Sequence, residues 1–146
     1  MDLSKFTERS RGFIQAAQTI ATRDSHQRLA PEHLLKALMD DEQGLAANLI
    51  SAAGGDPGQV LQTVDVALGK MPKVTGDAAQ VYLDNATTKV LAEAEALAKK
   101  AGDSFVPVER LLMALCMVKS GAKAALDAGK VTAQALNAAI NDVRKG

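Results

Sequence analysis

The chain has 146 residues, 47% of them hydrophobic, 3% aromatic and none of them Trp, with 17 basic residues balanced by 17 acidic ones. That length can bury roughly 68–70% of the unfolded surface, enough for one domain with its own core, which Ala, Leu, Val and Met must fill. Residues 1–75 carry 8 Lys/Arg against 9 Asp/Glu and residues 76–146 carry 9 against 8, so no basic excess exists to neutralise phosphates and nucleic acid is not an expected partner.

One cysteine, Cys116, cannot form an intramolecular disulfide and fits a reducing compartment. The start, Met1-Asp2-Leu3-Ser4-Lys5, lacks the basic and apolar regions of a signal peptide. No stretch approaches the ~18 consecutive apolar residues of a membrane span. A soluble, cytoplasmic protein with no membrane partner is expected.

In chain order, Phe6-Thr7 reads as a helix start, an apolar residue followed by a residue able to cap. Phe13, Ile14, Ala17, Ile20 and Ala21 then mark one helical face. The second helix, "PEHLLKALM" (31–39), opens on Pro31, tolerated in a first turn, and turns Leu34, Leu35 and Leu38 inward. A short third helix at about 45–53 ends at Gly54, and a fourth opens at Asp56-Pro57 with Val60, Leu61, Val64 and Leu68 on its apolar face. The longest connector, "GKMPKVTGDAAQVY" (69–82), is the one stretch expected to be extended.

The same order then returns. Leu83-Asp84 matches Phe6-Thr7, and Val90, Leu91, Ala94, Leu97 and Ala98 match the first face at an offset of 77. "VERLLMALCMV" (108–118), with Leu111, Leu112 and Leu115, is apolar nearly all round and so buried on most sides. A third helix at 121–128 is closed by Gly129, a position suited to a left-handed residue. The fourth, capped by Thr132, presents Leu136, Ala139, Ile140 and Val143 at an offset of 75, so an insertion or deletion falls near the third helix. Helical solenoids need three or more shorter repeats. Two units, about 1–75 and about 76–146, instead predict a single domain over 1–146: all-α, eight helices, two four-helix repeats related by a pseudo-twofold axis, and a monomer.

Catalytic chemistry is sparse. "LDAGKV" (126–131) has Gly-Lys followed by Val131, and Ala124 stands where a phosphate loop needs glycine, so no nucleotide or other cofactor is expected in this chain. His26 and His33 are the only histidines, read as a loop residue and a helix-face residue, too few for a zinc site. Cys116 reads as inert core. Asp40-Asp41-Glu42 reads as a solvated loop and Glu93/Glu95 as a solvated helix face. Glu32 and Glu109 sit just inside the second helices, where acids complement the helix dipole. No catalytic site is expected.

The segments "FTERSRGFI" (6–14), "PEHLLKAL" (31–38), "GGDPGQVLQTVDVALGKMPKV" (54–74), "AGDSFVPVERLLMAL" (101–115) and "NAAINDVRKG" (137–146) together resemble the N-terminal domain of Clp/Hsp-type ring unfoldases, the disaggregase branch most of all. The resemblance implies a doubled four-helix module in front of ATPase rings that lie outside this chain and hold the ATP. It implies a hexameric parent that pulls polypeptides from aggregates with help from the DnaK system. The domain itself would contact unfolded or aggregated proteins through an apolar groove, with Thr7, Asp103 and Glu109 at polar positions and Leu91 and Leu97 at apolar ones. Some relatives have leucine where this chain has Glu93 and Arg110, which implies a less apolar groove or one shifted toward Val106 and Tyr82. The alternative is a ClpC-type protease unfoldase that reads phosphorylated arginine or an adaptor through Thr and Glu in both units. Thr7 and Glu32 match that pattern in the first unit, whereas the second has Asp84 and "VER". A purely structural spacer within the hexamer is a further reading.

Overall fold

The computed structural model describes residues 2–74 and 81–145. After a 3-10 turn at Leu3–Lys5 come α1 (Glu8–Arg23), β1 (Arg28–Leu29), α2 (Pro31–Met39), α3 (Leu45–Ala52) and α4 (Pro57–Gly69). Then follow β2 (Tyr82–Leu83), α5 (Asn85–Lys100), α6 (Val108–Met117), α7 (Gly121–Ala128) and α8 (Ala133–Lys145). The fold is all-α with two two-residue strands. No helix among the described residues is long and apolar enough to cross a membrane.

The helices begin where side-chain oxygens can satisfy first-turn amides. Thr7 Oγ1 accepts from the Ser10 N–H at 3.1 Å, Asp56 from Gln59 at 3.2 Å, and Thr132 from Ala135 at 3.1 Å. Each such cap stabilises by about 1 kcal/mol. Asp84 precedes α5 without capping it, because its carboxylate turns to Arg28, 3.2 Å away.

Four helices close in the same way. Ser25 (φ 60°), Gly54 (82°), Gly102 (81°) and Lys130 (64°) are left-handed. The residue after each donates its N–H back across the last turn: His26 to Ala21 at 2.9 Å, Gly55 to Ile50 at 2.8 Å, Asp103 to Ala98 at 2.9 Å and Val131 to Leu126 at 3.0 Å. This is the Schellman closure. Ser25 corresponds to Gly102 at an offset of 77, but Gly54 corresponds to Lys130 at 76. The fourth helices share that offset, since Val60 with Leu136 and Val64 with Ile140 form matching core pairs, each at most 1% exposed. The offset of 75 is thereby corrected to 76. Gly129 is not left-handed (φ −84°). It is glycine because a Cβ would lie 2.3 Å from Val60 Cγ2, and its carbonyl accepts the Asp56 N–H at 2.8 Å.

Within each unit the first two helices pack together, α1 on α2 and α5 on α6, whereas α4 packs on α7 and α3 on α8 across the units. Eight of the ten residues of α6 are buried, as its apolar circumference requires. Two backbone clasps complete the exchange. β1 and β2 pair in parallel, Leu29 opposite Leu83, and Phe6 bridges to Val106. The offset of 77 carries Phe6 onto Leu83 and Leu29 onto Val106, so the lead-in of each unit pairs with the interhelical loop of the other. A buried hydroxyl supports each clasp: Ser10 Oγ donates to the Val106 carbonyl at 2.9 Å and Thr87 Oγ1 to the Leu29 carbonyl at 2.6 Å. Of the connector expected to be extended, 75–80 lie outside the described residues and Tyr82 enters β2; β1 was not expected.

Candidate functional site

An α-helix turns 100° per residue, so the core face of α5, Val90, Leu91, Ala94 and Ala98, leaves Ala92, Glu95, Ala96 and Lys99 on a neighbouring face. That face forms one wall of an open cleft of about 660 Å³. The Schellman turn at Gly102 sends Asp103, Ser104 and Phe105 along the opposite wall, Val106 and Ala98 lie at the bottom, and Lys5 stands at the rim. Phe105 is 55% exposed, an aromatic ring held open to solvent although the chain has only three phenylalanines.

The expected site residues separate in the structure. Asp103 and Val106 line the cleft, Val106 as a buried floor. Leu91 is 1% exposed and belongs to the core, a correction to its expected place on a groove surface, because α5 turns it inward beside Val90 and Ala94. Leu97 is half-buried and packs against the same core. Thr7 caps α1 and lines a different hollow of about 790 Å³ with Phe13 and Asp41. Tyr82 and Val106 border different hollows, so they do not define one shifted groove. Sequence reading missed Ala92, Glu95, Ala96 and Phe105; the signal available was the polar-or-small stripe one helical position away from the leucines.

Electrostatics hold the cleft's outer wall. Asp103 meets Arg110 Nε at 3.4 Å and is doubly bonded by Arg144, whose Nη1 also donates to Glu109 Oε2 at 3.1 Å. Partial burial pushes the Asp103 carboxyl up, but the hydrogen bonds and charges of Arg144 and Arg110 outweigh it and hold the group below its ordinary value. Arg110 is therefore a buried ion-pair partner and not a polar intrusion into a groove. Glu93 is half-buried, and Glu95 borders the cleft.

At the offset of 77, His26 and His33 occupy the places of Asp103 and Arg110. Both are buried, which corrects their reading as loop and helix-face residues. The Ala30 N–H donates to His33 Nδ1 at 3.0 Å, so the neutral His33 carries its proton on Nε2 and donates it to His26 Nδ1, 2.8 Å away. His26 Nε2 then bears a proton and has no partner among the described residues. Burial, reinforced by His26, pushes His33 down to about 4, and burial also lowers His26.

The remaining candidates are structural. Cys116 is buried and its thiol is pushed up by burial. Asp41, expected to be solvated, pairs with Arg9 at 2.8 Å. Burial, then the charge of Asp84, raises the Glu32 carboxyl. Thr7 donates its N–H to the Val106 carbonyl at 3.1 Å and Glu32 packs beside Gly121, so both lie against the second unit. Among the described residues no group of three or more His, Cys, Asp or Glu is placed to hold a metal ion.

Two exchanged four-helix units with a cleft at one interhelical loop define a doubled helical module. The chain belongs to the Clp repeat (R) N-terminal domain family, which it matches over residues 5–129. Across its whole length it is similar to proteins named Chaperone protein ClpB, being 58% identical to that of Mesorhizobium japonicum and 55% to that of Rhodopseudomonas palustris. It spans 17% of those relatives' length. The fold is shared with the crystal structure of the Hsp104 N-terminal domain from Candida albicans, with a TM-score of 0.85 at 20% identity over 97% of this chain and 92% of that one.

Proposed function

We propose that this domain is the polypeptide-capturing module of an ATP-driven disaggregase, and that unfolded segments enter the cleft between α5 and the loop ahead of α6. One observation carries this reading: Phe105, more than half exposed, faces a wall of Ala92 and Ala96 over the buried floor of Val106. An exposed ring over small apolar side chains offers area to an apolar side chain, while Glu95, Lys99, Lys5 and Asp103 around it balance in charge. Hexamer formation and cooperation with the DnaK system belong to the proposed parent, whose ring would raise weak single-site affinity by presenting several copies.

Calorimetric titration with a permanently unfolded protein tests the reading. Burial of apolar surface gives a negative heat-capacity change and little dependence on salt, with micromolar or weaker affinity because association itself is costly. Phe105→Ala weakens binding without loss of fold. Strong weakening by salt with no heat-capacity change would instead indicate charge recognition and sink the proposal.

A further inference from the structure

The first unit secures the start of its second helix with hydrogen bonds that leave no room for an extra proton. His26 and His33, 3% and 0% exposed, together offer four ring nitrogens. The two that face each other, His26 Nδ1 and His33 Nε2, are 2.8 Å apart and share one proton. His33 Nδ1 accepts the Ala30 N–H at 3.0 Å, so it stays bare. His26 Nε2 holds the second proton, favoured there by the Leu68 carbonyl at the end of α4. A third proton has two places to go, against the Ala30 N–H or into the contact between the rings. Either one sets two donors face to face. Asp103 and Arg110, at the same places in the second unit, meet as an ion pair instead, and Asp103 is held below its ordinary value.

The charges around the pair do not remove this conflict. Burial opposes a charged ring most; Asp24 at the end of α1 favours one, while Arg28 of β1 and Lys73 of the connector oppose it. Elsewhere around α2, Asp84 pairs with Arg28, Asp65 of α4 with Lys36, Arg110 of α6 with Asp103 and Lys123 of α7 with Asp127. Glu32 of α2 lies beside Gly121 of α7, and α3 carries no charge.

What this corner holds is the connector. The Val74 N–H donates to the Ser25 carbonyl at 2.9 Å and the Tyr82 N–H to the Gln27 carbonyl at 3.0 Å. The chain leaving α4 and the chain entering β2 are thus both bonded to Ser25–Gln27. The Leu29 carbonyl then accepts the Asp84 N–H at 3.1 Å and the Thr87 hydroxyl at 2.6 Å. At one end of this stretch Ser25 is left-handed, with φ 60°, where the second unit has Gly102, and that conformation is costly for a residue with a Cβ. At its other end His33 pins Ala30. The stretch is strained where it begins and fastened by imidazole where it ends.

We propose that Ser25–His33 is a proton-operated fastener for the connector between the units. When the imidazole pair takes a third proton, the rings part or the Ala30 bond breaks, Ser25–Ala30 comes away, and Val74 and Tyr82 lose their backbone partners. The matching loop of the second unit, fastened by Asp103 and Arg110, stays closed over the same range of pH. The opening is local: it frees the β1–β2 clasp and leaves the clasp of Phe6 with Val106 in place. It is independent of what the cleft beside α5 binds.

Two measurements on the unaltered domain test this. The first is the ring-nitrogen NMR shifts of both histidines. At pH 7 each ring should carry its proton on Nε2 with Nδ1 bare, and in acid His33 Nδ1 should gain one. A proton on His33 Nδ1 at pH 7 overturns the proposal. The second is native-state amide exchange, read as protection factors so that the pH dependence of exchange chemistry itself is removed. With His33 at about 4 when closed and near 6.5 when open, the open form gains about tenfold per pH unit below 6.5. Protection at Ala30, Val74, Tyr82 and Asp84 should therefore fall about thirtyfold between pH 7 and pH 5, while that of Thr7 and Val106 stays within about twofold. An equal fall at both clasps, or no fall at either, overturns the proposal. His33→Asn leaves an oxygen able to accept from Ala30 and takes no proton, so it should abolish most of the fall. An undiminished fall in that variant overturns the assignment to His33, and the two measurements on the unaltered domain decide the case if the variant does not fold.

Discussion

The first unit fastens the loop before its second helix with two neutral imidazoles, His26 and His33, and the second fastens the same loop with Asp103 and Arg110. The backbone around both pairs is alike: each follows a left-handed turn at Ser25 or Gly102 and leads into a clasp with the opposite unit. Chemistry differs because the surroundings differ. Arg144 at the end of α8 reaches Asp103 and brings charge to the second corner. In the first unit α4 ends on Leu68 and Gly69, which bring no charge to the corner, and a neutral pair is buried there. One fold thus tolerates different electrostatics at equivalent corners, a hydrogen-bonded imidazole pair in one and an ion pair in the other.

The largest test of this comparison removes one unit altogether. Residues 2–74 and 81–145, expressed separately, should each lose most of their helical circular dichroism, because α3, α4 and both clasps bury their apolar surface on the other unit. Mixing them should restore it. Independent folding of either half would break the account of exchanged packing.

Single changes at the two corners should differ in cost. Asp103→Ala strands the buried Arg110, whose side chain is 7% exposed, and should destabilise by about 3 kcal/mol in denaturant titration. His26→Ala leaves a neutral imidazole N–H unpaired and should cost about 1–2 kcal/mol. Equal costs would show that charge does not distinguish the corners.

Acid should act on the histidine corner. The folded His33 titrates at about 4, below the ordinary value near 6.5, because burial disfavours its charged form. Its contribution is therefore complete above about pH 6.5 and is lost as pH falls toward 4, amounting to about 2 kcal/mol between pH 7 and pH 5. Asp103, held low by Arg144 and Arg110, loses its share as pH falls further through the carboxylate range. The double exchange His26→Asp with His33→Arg should flatten the dependence between pH 7 and 5. An unchanged slope would assign the acid sensitivity elsewhere.

The smallest effects concern helix ends. Ser25→Gly and Lys130→Gly relieve left-handed strain at φ 60° and 64°, and each should raise stability by about 0.5–1 kcal/mol. Gly54→Ala and Gly102→Ala should lower it by a similar amount, as thermal melts would show.

The helices and the doubling were legible because Leu34, Leu35 and Leu38 recur as Leu111, Leu112 and Leu115 at one spacing, and helical periodicity is a local property. The crossing of the units was not, since two-residue strands such as Arg28–Leu29 have no pattern to read and their partners lie far away in sequence. Leu91 was misplaced by the resemblance, which set it on a groove, whereas its place beside Val90 and Ala94 on the apolar face of α5 already pointed to the core. Applying the offset of 77 to polar residues as well as apolar ones would have set His26 and His33 on Asp103 and Arg110 and exposed the paired corners. Phe105 left a fainter trace, an aromatic where the first unit has Arg28.

The crossing clasps also govern the order in which the chain can assemble. Phe6 waits for Val106, and Leu29 for Leu83, so contacts far apart in sequence must close before the core does. Loop closure of that span has to precede the rewards of packing, and folding slows as such contacts come to dominate. On a ribosome, α1 to α4 would emerge with their leucine faces uncovered until α7 and α8 arrive. The domain should therefore fold more slowly than a bundle of eight helices with neighbour-to-neighbour packing, in a single step that begins only when nearly all of it has been made.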